Sequence, residues 1–351
     1  MGTLPKSIDL NQDFQPKNVH VHNTNPFVDP AYIPYSNPYT EKIASLAIDV
    51  IREFDLQIID SWYILPYVVS EYITKTITGK PQIMRHAGSD MSRLLDSPYL
   101  KTLFFSIFNK VDKVITYPAM GKVFESYGVP KERLWYNLNI SVDTEAFSPE
   151  VKPINLSEQT VKAIDDDIPV ITYIGKMNTV KGVYELVESA SKIKEDFLLL
   201  FVTQNTGLTS FQEFIRSRGM EEKSLFMNFV PPWKIPSIIK RSSCVVIPER
   251  DFPVAQHTSI LSREVLAAGG CLILSKELYD KMRWVGFSEN EDILVVDPKN
   301  IPEFQTTLEM VLNEQKFRES IKRRARLLSE KVEHFEQYIN DITQLYNELL
   351  S

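Results

Sequence analysis

From about Ile168 the chain alternates short apolar runs with segments of helical period. The runs are VITYI (170–174), FLLLFV (197–202), SLFMNF (224–229), CVVI (244–247), CLIL (271–274) and ILVV (293–296). Apolar runs of strand length, each followed by a helix-length segment, predict a buried parallel sheet in an α/β layer. The same style recurs between residues 18 and 138, in NVHVH, LQIID, PQIMRH, DKVIT and RLWYNL, with helical patterns at 39–53 and 66–76. A second α/β unit is expected there. Residues 147–167 are rich in Pro, Glu, Lys and Asp without sustained apolar period, so they read as a connection between domains. The tail from 304 to 350 is helical in pattern almost throughout. We therefore expect an N-terminal domain over 1–149, a second domain over 150–330, and a final helix over 331–351 returning toward the first. Two parallel sheets facing each other would put their strands' carboxyl ends around one cleft, where ligands of open α/β sheets bind.

Composition narrows this only a little. The 351 residues are 43% hydrophobic and 24% charged, which suits a globular chain of two domains. The longest apolar run, Phe197–Val202, is far short of the roughly 18 residues a membrane span needs. The opening segment lacks the apolar centre of a secretion signal, and Lys6 stands where a myristoylation signal takes Ser or Thr. A cytoplasmic location is expected. Cys244 and Cys271 lie inside apolar runs and read as small hydrophobes rather than a disulfide or zinc pair. With 39 basic against 46 acidic residues the net charge is −7, which argues against nucleic acid as a partner. The basic run Lys322-Arg323-Arg324-Ala325-Arg326 is either a solvated helix face or a peripheral contact with anionic lipid.

Neither the dinucleotide fingerprint G-x-G-x-x-G nor the P-loop G-x-x-x-x-G-K-[ST] occurs. Asp165-Asp166-Asp167 precedes a strand instead of ending one and reads as a charged loop, and His20-x-His22 has no further ligand at metal spacing. No metal site is expected. Two segments do carry chemistry. In the first, the strand ending at Gly175 is followed by Lys176, Lys181 and Gly182, so two ammonium groups can converge on an anion in the cleft. In the second, a strand leads through Gln256 and His257 to Thr258 or Ser259 as helix N-cap, then Ile260, Glu264 and a closing glycine. A helix amino terminus aimed at the cleft suits a phosphate, and Glu264 could accept bonds from ribose hydroxyls.

G-K-x4-K-G followed by x7-E-x-L-A-A-G resembles family 4 of the retaining GT-B glycosyltransferases (glycosyl transferases group 1), whose second domain carries G-R-x4-K-G and E-x7-E. Three further segments are similar to that family: V-D-K-V-I-T (111–116) with Y-G-V-P (127–130), V-D-T-E-A-F-S-P (142–149), and H-A-G-S-D (86–90). The resemblance implies two Rossmann-like domains with C-terminal helices crossing between them. It implies that Lys176 and Lys181 neutralise a donor diphosphate, that Glu264 holds the nucleotide ribose and Gln256 the donor sugar. It also implies that Gly175 and the loop His257–Ile260 approach the phosphates, and that His86 lies near the transferred sugar. The donor would be UDP-, GDP- or ADP-linked, the acceptor a saccharide, a lipid-linked group or a protein, and no metal or other cofactor is implied.

Three positions depart from the family pattern. Lys176 replaces Arg, keeping charge but losing the planar fork; Gln256 replaces the first Glu, keeping hydrogen bonds but losing charge; and little precedes residue 38 that resembles the family's first strand and glycine-rich loop. The last point implies a first domain shortened at its start, or a partner chain that completes it. The expected activity is a metal-independent, retaining hexosyltransferase. The alternatives are a non-catalytic nucleotide-sugar-binding or scaffolding subunit, and a GT-B epimerase or phosphorylase.

Overall fold

A computed structural model describes residues 19–20, 22, 38–87, 90–91, 94–95, 97–136, 141–159, 164–203, 208–228, 230–254 and 258–351. The chain divides into two compact units, Met1–Ile140 with Glu336–Ser351, and Ser141–Phe335.

The first unit carries a four-stranded parallel sheet in chain order: β1 (Ile59–Trp62), β2 (Gln82–Arg85), β3 (Lys113–Ile115) and β4 (Leu134–Trp135). Strand alternation sends Met84 and Val114 to one face, where Phe104, Phe108 and Phe124 cover them. Ile83 and Ile115 point to the other face, against Ile342 and Leu345 of the helix Phe335–Leu350. That helix is held by a polar network as well. The Arg85 guanidinium grips Asp60 with Nε at 2.8 Å and Nη2 at 2.7 Å, and its Nη1 donates to the Tyr338 hydroxyl at 3.0 Å. The Tyr346 hydroxyl donates to Asp60 Oδ2 at 2.6 Å.

The second unit carries six parallel strands, β5 (Val170–Ile174), β6 (Leu198–Val202), β7 (Ser224–Met227), β8 (Cys244–Ile247), β9 (Leu272–Ser275) and β10 (Leu294–Val296), in the order β10-β9-β8-β5-β6-β7. All six apolar runs become strands because both faces of the sheet are covered. Ile171, Tyr173 and Val246 join one core, while Val245, Ile247, Leu272 and Leu274 join another. β5 and β8 are neighbours although β6 and β7 lie between them in sequence, so the winding reverses at this pair.

Some expectations change. The described residues of NVHVH are not in a strand; His20 stacks on Phe54 at 5.0 Å and His22 meets its edge at 5.3 Å. Residues 147–167 are more than a tether, because Leu156 is buried beside Val170 and Leu200, and the Ile154 amide donates to Ser237 O at 3.0 Å. Both cysteines are free and buried, and desolvation pushes the Cys271 thiol up to about 12. Within the basic run, Arg324 pairs with Glu291 at 2.8 Å, and Arg326 Nη1 caps the helix Ile260–Ala267 by donating to Ala267 O at 2.6 Å. Among the described residues no helix is long and apolar enough to cross a membrane.

Replacing Tyr346 by Phe removes one bond to a charged acceptor while Arg85 still neutralises Asp60. Urea unfolding of Tyr346→Phe is expected to show a loss of about 1–2 kcal/mol, and unchanged stability would count against a role for this bond in holding the helix.

Candidate functional site

The loops that leave β5 and β8 emerge side by side at the reversal of winding, the usual ligand position of a doubly wound sheet. The β5 loop is shaped by its own residues. Gly175 still donates its amide to Val202 O at 3.0 Å, and a Cβ there would stand 2.7 Å from the Tyr173 hydroxyl. That hydroxyl donates to Lys176 O at 2.7 Å, tying strand to loop. Burial, and after it the negative charge of Glu249, push the Tyr173 phenol upward. Asn178 Oδ1 accepts from the Lys181 amide at 3.1 Å and caps a short 3₁₀ turn, Thr179–Lys181. Gly182 then takes φ +67°, and a Cβ on it would lie 1.8 Å from Pro248 O. The chain needs glycine here for two reasons: the left-handed backbone and the approach of the β8 loop.

Four more contacts hold the two loops and the helix after the first together. The Lys181 ammonium pairs with Glu249, and it lies 4.6 Å from the centre of the Phe252 ring. The Arg250 amide donates to Val180 O at 2.9 Å, and its Nε donates to Glu185 Oε1 at 2.6 Å. Lys176 is exposed and forms no ion pair among the described residues.

After β8, Ser259 caps the helix Ile260–Ala267, its Oγ accepting from the Ser262 amide at 3.3 Å. Ser259 is buried, whereas Thr258 and Ile260 are exposed at the helix start. Glu264 is half-buried and its carboxyl has no hydrogen-bond partner among the described residues; desolvation raises it to about 7, against a smaller opposing pull from Arg263. Arg263 is buried and committed elsewhere. Its Nε donates to Glu333 Oε1 at 2.6 Å, its guanidinium stacks 5.3 Å from the Trp284 ring, and Glu333 Oε2 accepts from the Val142 amide at 2.7 Å. The pair therefore fixes this helix to residues 141–142 and to the end of the helix Gln315–Val332.

Gly175, Lys176, Lys181, Thr258, Ser259, Ile260 and Glu264 thus all lie on the two loops or the helix after the second. Gln256 and His257 lie outside the described residues. His86 belongs to the other unit and turns its ring inward, 1% exposed, with Nε2 2.9 Å from Thr116 Oγ1 and Phe124 at 5.3 Å. Desolvation lowers it to about 4, so the ring is neutral near pH 7, with Nε2 bonded to the neighbouring hydroxyl. Glu249 was not foreseen, although the rule that picked out the β5 loop applies equally to the first residues after β8.

Residues 157–328, all of them in the second unit, match the family model described as glycosyl transferases group 1. This part of the chain is a group 1 glycosyl transferase domain. A curated relative, alpha-D-kanosaminyltransferase of Streptomyces kanamyceticus, is 23% identical over 44% of this chain; the match covers 39% of that relative's length. Among solved structures, sucrose-phosphate synthase from Thermosynechococcus elongatus is 14% identical, covering 91% of this chain and 80% of that one with a TM-score of 0.64. Anabaena HepE in complex with UDP-glucose is 13% identical, covering 89% and 84% with a TM-score of 0.66. The fold is that of GT-B glycosyltransferases, with two Rossmann-like parallel-sheet units.

Two measurements check the local account of the group 1 domain. Gly182→Ala meets both a left-handed backbone, which costs about 1–2 kcal/mol, and the Pro248 carbonyl; thermal melts are expected to show a loss larger than the backbone cost alone. For Glu264, folding takes up a proton between the ordinary carboxyl value of 4.5 and about 7, so its contribution to stability declines as pH rises through that window. Glu264→Gln should therefore gain stability over the native chain at pH 7.5 but not at pH 4.5. Equal differences at both pH values in chemical denaturation would refute the raised carboxyl.

Proposed function

We propose that the chain transfers a sugar from a nucleoside diphosphate donor to an acceptor hydroxyl, retaining anomeric configuration and using no metal. The observation that carries the reading is the meeting, inside a group 1 domain, of the β5 and β8 loops at the reversal of winding, with the Glu264 carboxyl, unpartnered among the described residues, on the helix that follows. Lys176, Lys181 and the helix start at Thr258–Ile260 would hold the diphosphate, and Glu264 the ribose. A carboxyl near pH 7 is poised both to accept from and to donate to a vicinal diol. The relative solved with UDP-glucose supports the donor class.

Glycosyl transfer breaks the bond from the sugar to phosphate through an oxocarbenium-like state, so negative charge grows on the departing diphosphate. Each charge-assisted hydrogen bond that strengthens with it is worth about 1.5–3 kcal/mol, roughly ten- to a hundredfold in rate. The acceptor proton would pass to a donor phosphate oxygen on the same face as the leaving group, so no protein nucleophile is assigned. A second reading, a nucleotide-sugar-binding subunit without activity, is favoured by Gln256 and by the neutralisation of Lys181 by Glu249.

Calorimetric titration with UDP, GDP and ADP is expected to find one ligand that binds the native chain, about tenfold more weakly in Lys176→Ala and in Glu264→Gln. No binding by the native chain would remove the reading. Turnover of the matching nucleotide sugar in EDTA, with the product anomer read by NMR, separates the transferase from the binding subunit.

A further inference from the structure

The cations around the two loops are nearly all matched by carboxylates of the same unit. Arg250 pairs with Glu185, Lys281 with Glu277 and Lys181 with Glu249, while Lys176 stands exposed. The Lys181–Glu249 pair differs from the others in place and burial. It joins the ends of the two central strands, with side chains only 16% and 8% exposed, and the Phe252 ring covers the ammonium from one side. A carboxylate thus occupies the ammonium's best anion position within the candidate diphosphate subsite. A pair this sheltered is not opened by water or by a weak anion, because separating its members leaves two poorly solvated charges. A diphosphate can replace the carboxylate, since it brings more charge and several acceptor oxygens to the same ammonium.

We infer that Glu249 is an internal stand-in for the donor phosphate, so that nucleotide binding at this site exchanges one anion for another at Lys181; this rests on the function proposed above. Two consequences follow from the exchange. Donor affinity is held below what the loop geometry would allow, and a nucleoside diphosphate is selected over its monophosphate, which gains less at Lys181 for the same opened pair. Glu249 is in this sense a specificity-determining residue, acting through Lys181.

The test is calorimetric titration of the native chain and of Glu249→Gln with UDP, GDP and ADP and with UMP, GMP and AMP. Glu249→Gln keeps the shape and hydrogen bonds of the side chain but removes its charge. The diphosphate that binds the native chain is expected to bind Glu249→Gln about tenfold more tightly, and its monophosphate about threefold or less. Glu249→Asp, which keeps the charge on a shorter arm, should fall between the two proteins and serves if the Gln variant does not fold. Unchanged or weaker diphosphate binding in a folded variant overturns the inference while the function stands. If no diphosphate binds either protein, the proposed function falls and the inference with it. The native chain also gives a check that needs no variant: its crystal structure with the diphosphate should show Lys181 Nζ on a phosphate oxygen and Glu249 displaced. An intact Lys181–Glu249 pair beside the bound diphosphate overturns it.

Discussion

The contact between Gly182 and the Pro248 carbonyl sets the spacing of everything around the candidate site. With no side chain at 182, the β5 loop can lie directly against the β8 loop. That closeness lets Lys181 reach Glu249 and Arg250 reach both Val180 O and Glu185. A larger residue would force the loops apart, and the ion pair would have to stretch or open. Backbone geometry therefore determines the electrostatics here, and the charged residues act within a frame that one glycine creates.

A second frame holds the helix that carries Glu264. Arg263 and Glu264 are sequence neighbours with opposite fates, because successive helical residues point about 100° apart. One turns into the interior, where Glu333, Trp284 and the backbone at Val142 fix it. The other is left half-buried and without a hydrogen-bond partner among the described residues, which is why desolvation dominates its proton affinity. The buried pair on one side thus keeps in position the carboxyl that the other side presents.

The strands of the second unit were legible in the sequence because a parallel sheet covered on both faces writes itself as uninterrupted apolar runs. All six runs became strands, and the two motif loops fell at adjacent strand ends. What the sequence did not reveal were the pairings. Lys181 and Glu249 are 68 positions apart, and Arg263 and Glu333 are 70 apart, so no local period links them. His86 shows a related limit: a histidine at a strand end reads the same whether its ring faces a ligand or, as here, Thr116 and Phe124. NVHVH alternates like a strand, yet its two histidines pack on Phe54, a partner that composition alone does not disclose.

The strand order has a consequence for how the second unit is built. β8 inserts between β5 and β9, so the middle of the sheet is completed by a strand that follows β6 and β7 in the chain. Until it arrives, one side of β5 is an open row of amides and carbonyls, the kind of edge that recruits other chains. The pairing that covers that edge is the same one that brings Pro248 onto Gly182, so protection from aggregation and assembly of the candidate site both depend on the placement of one strand.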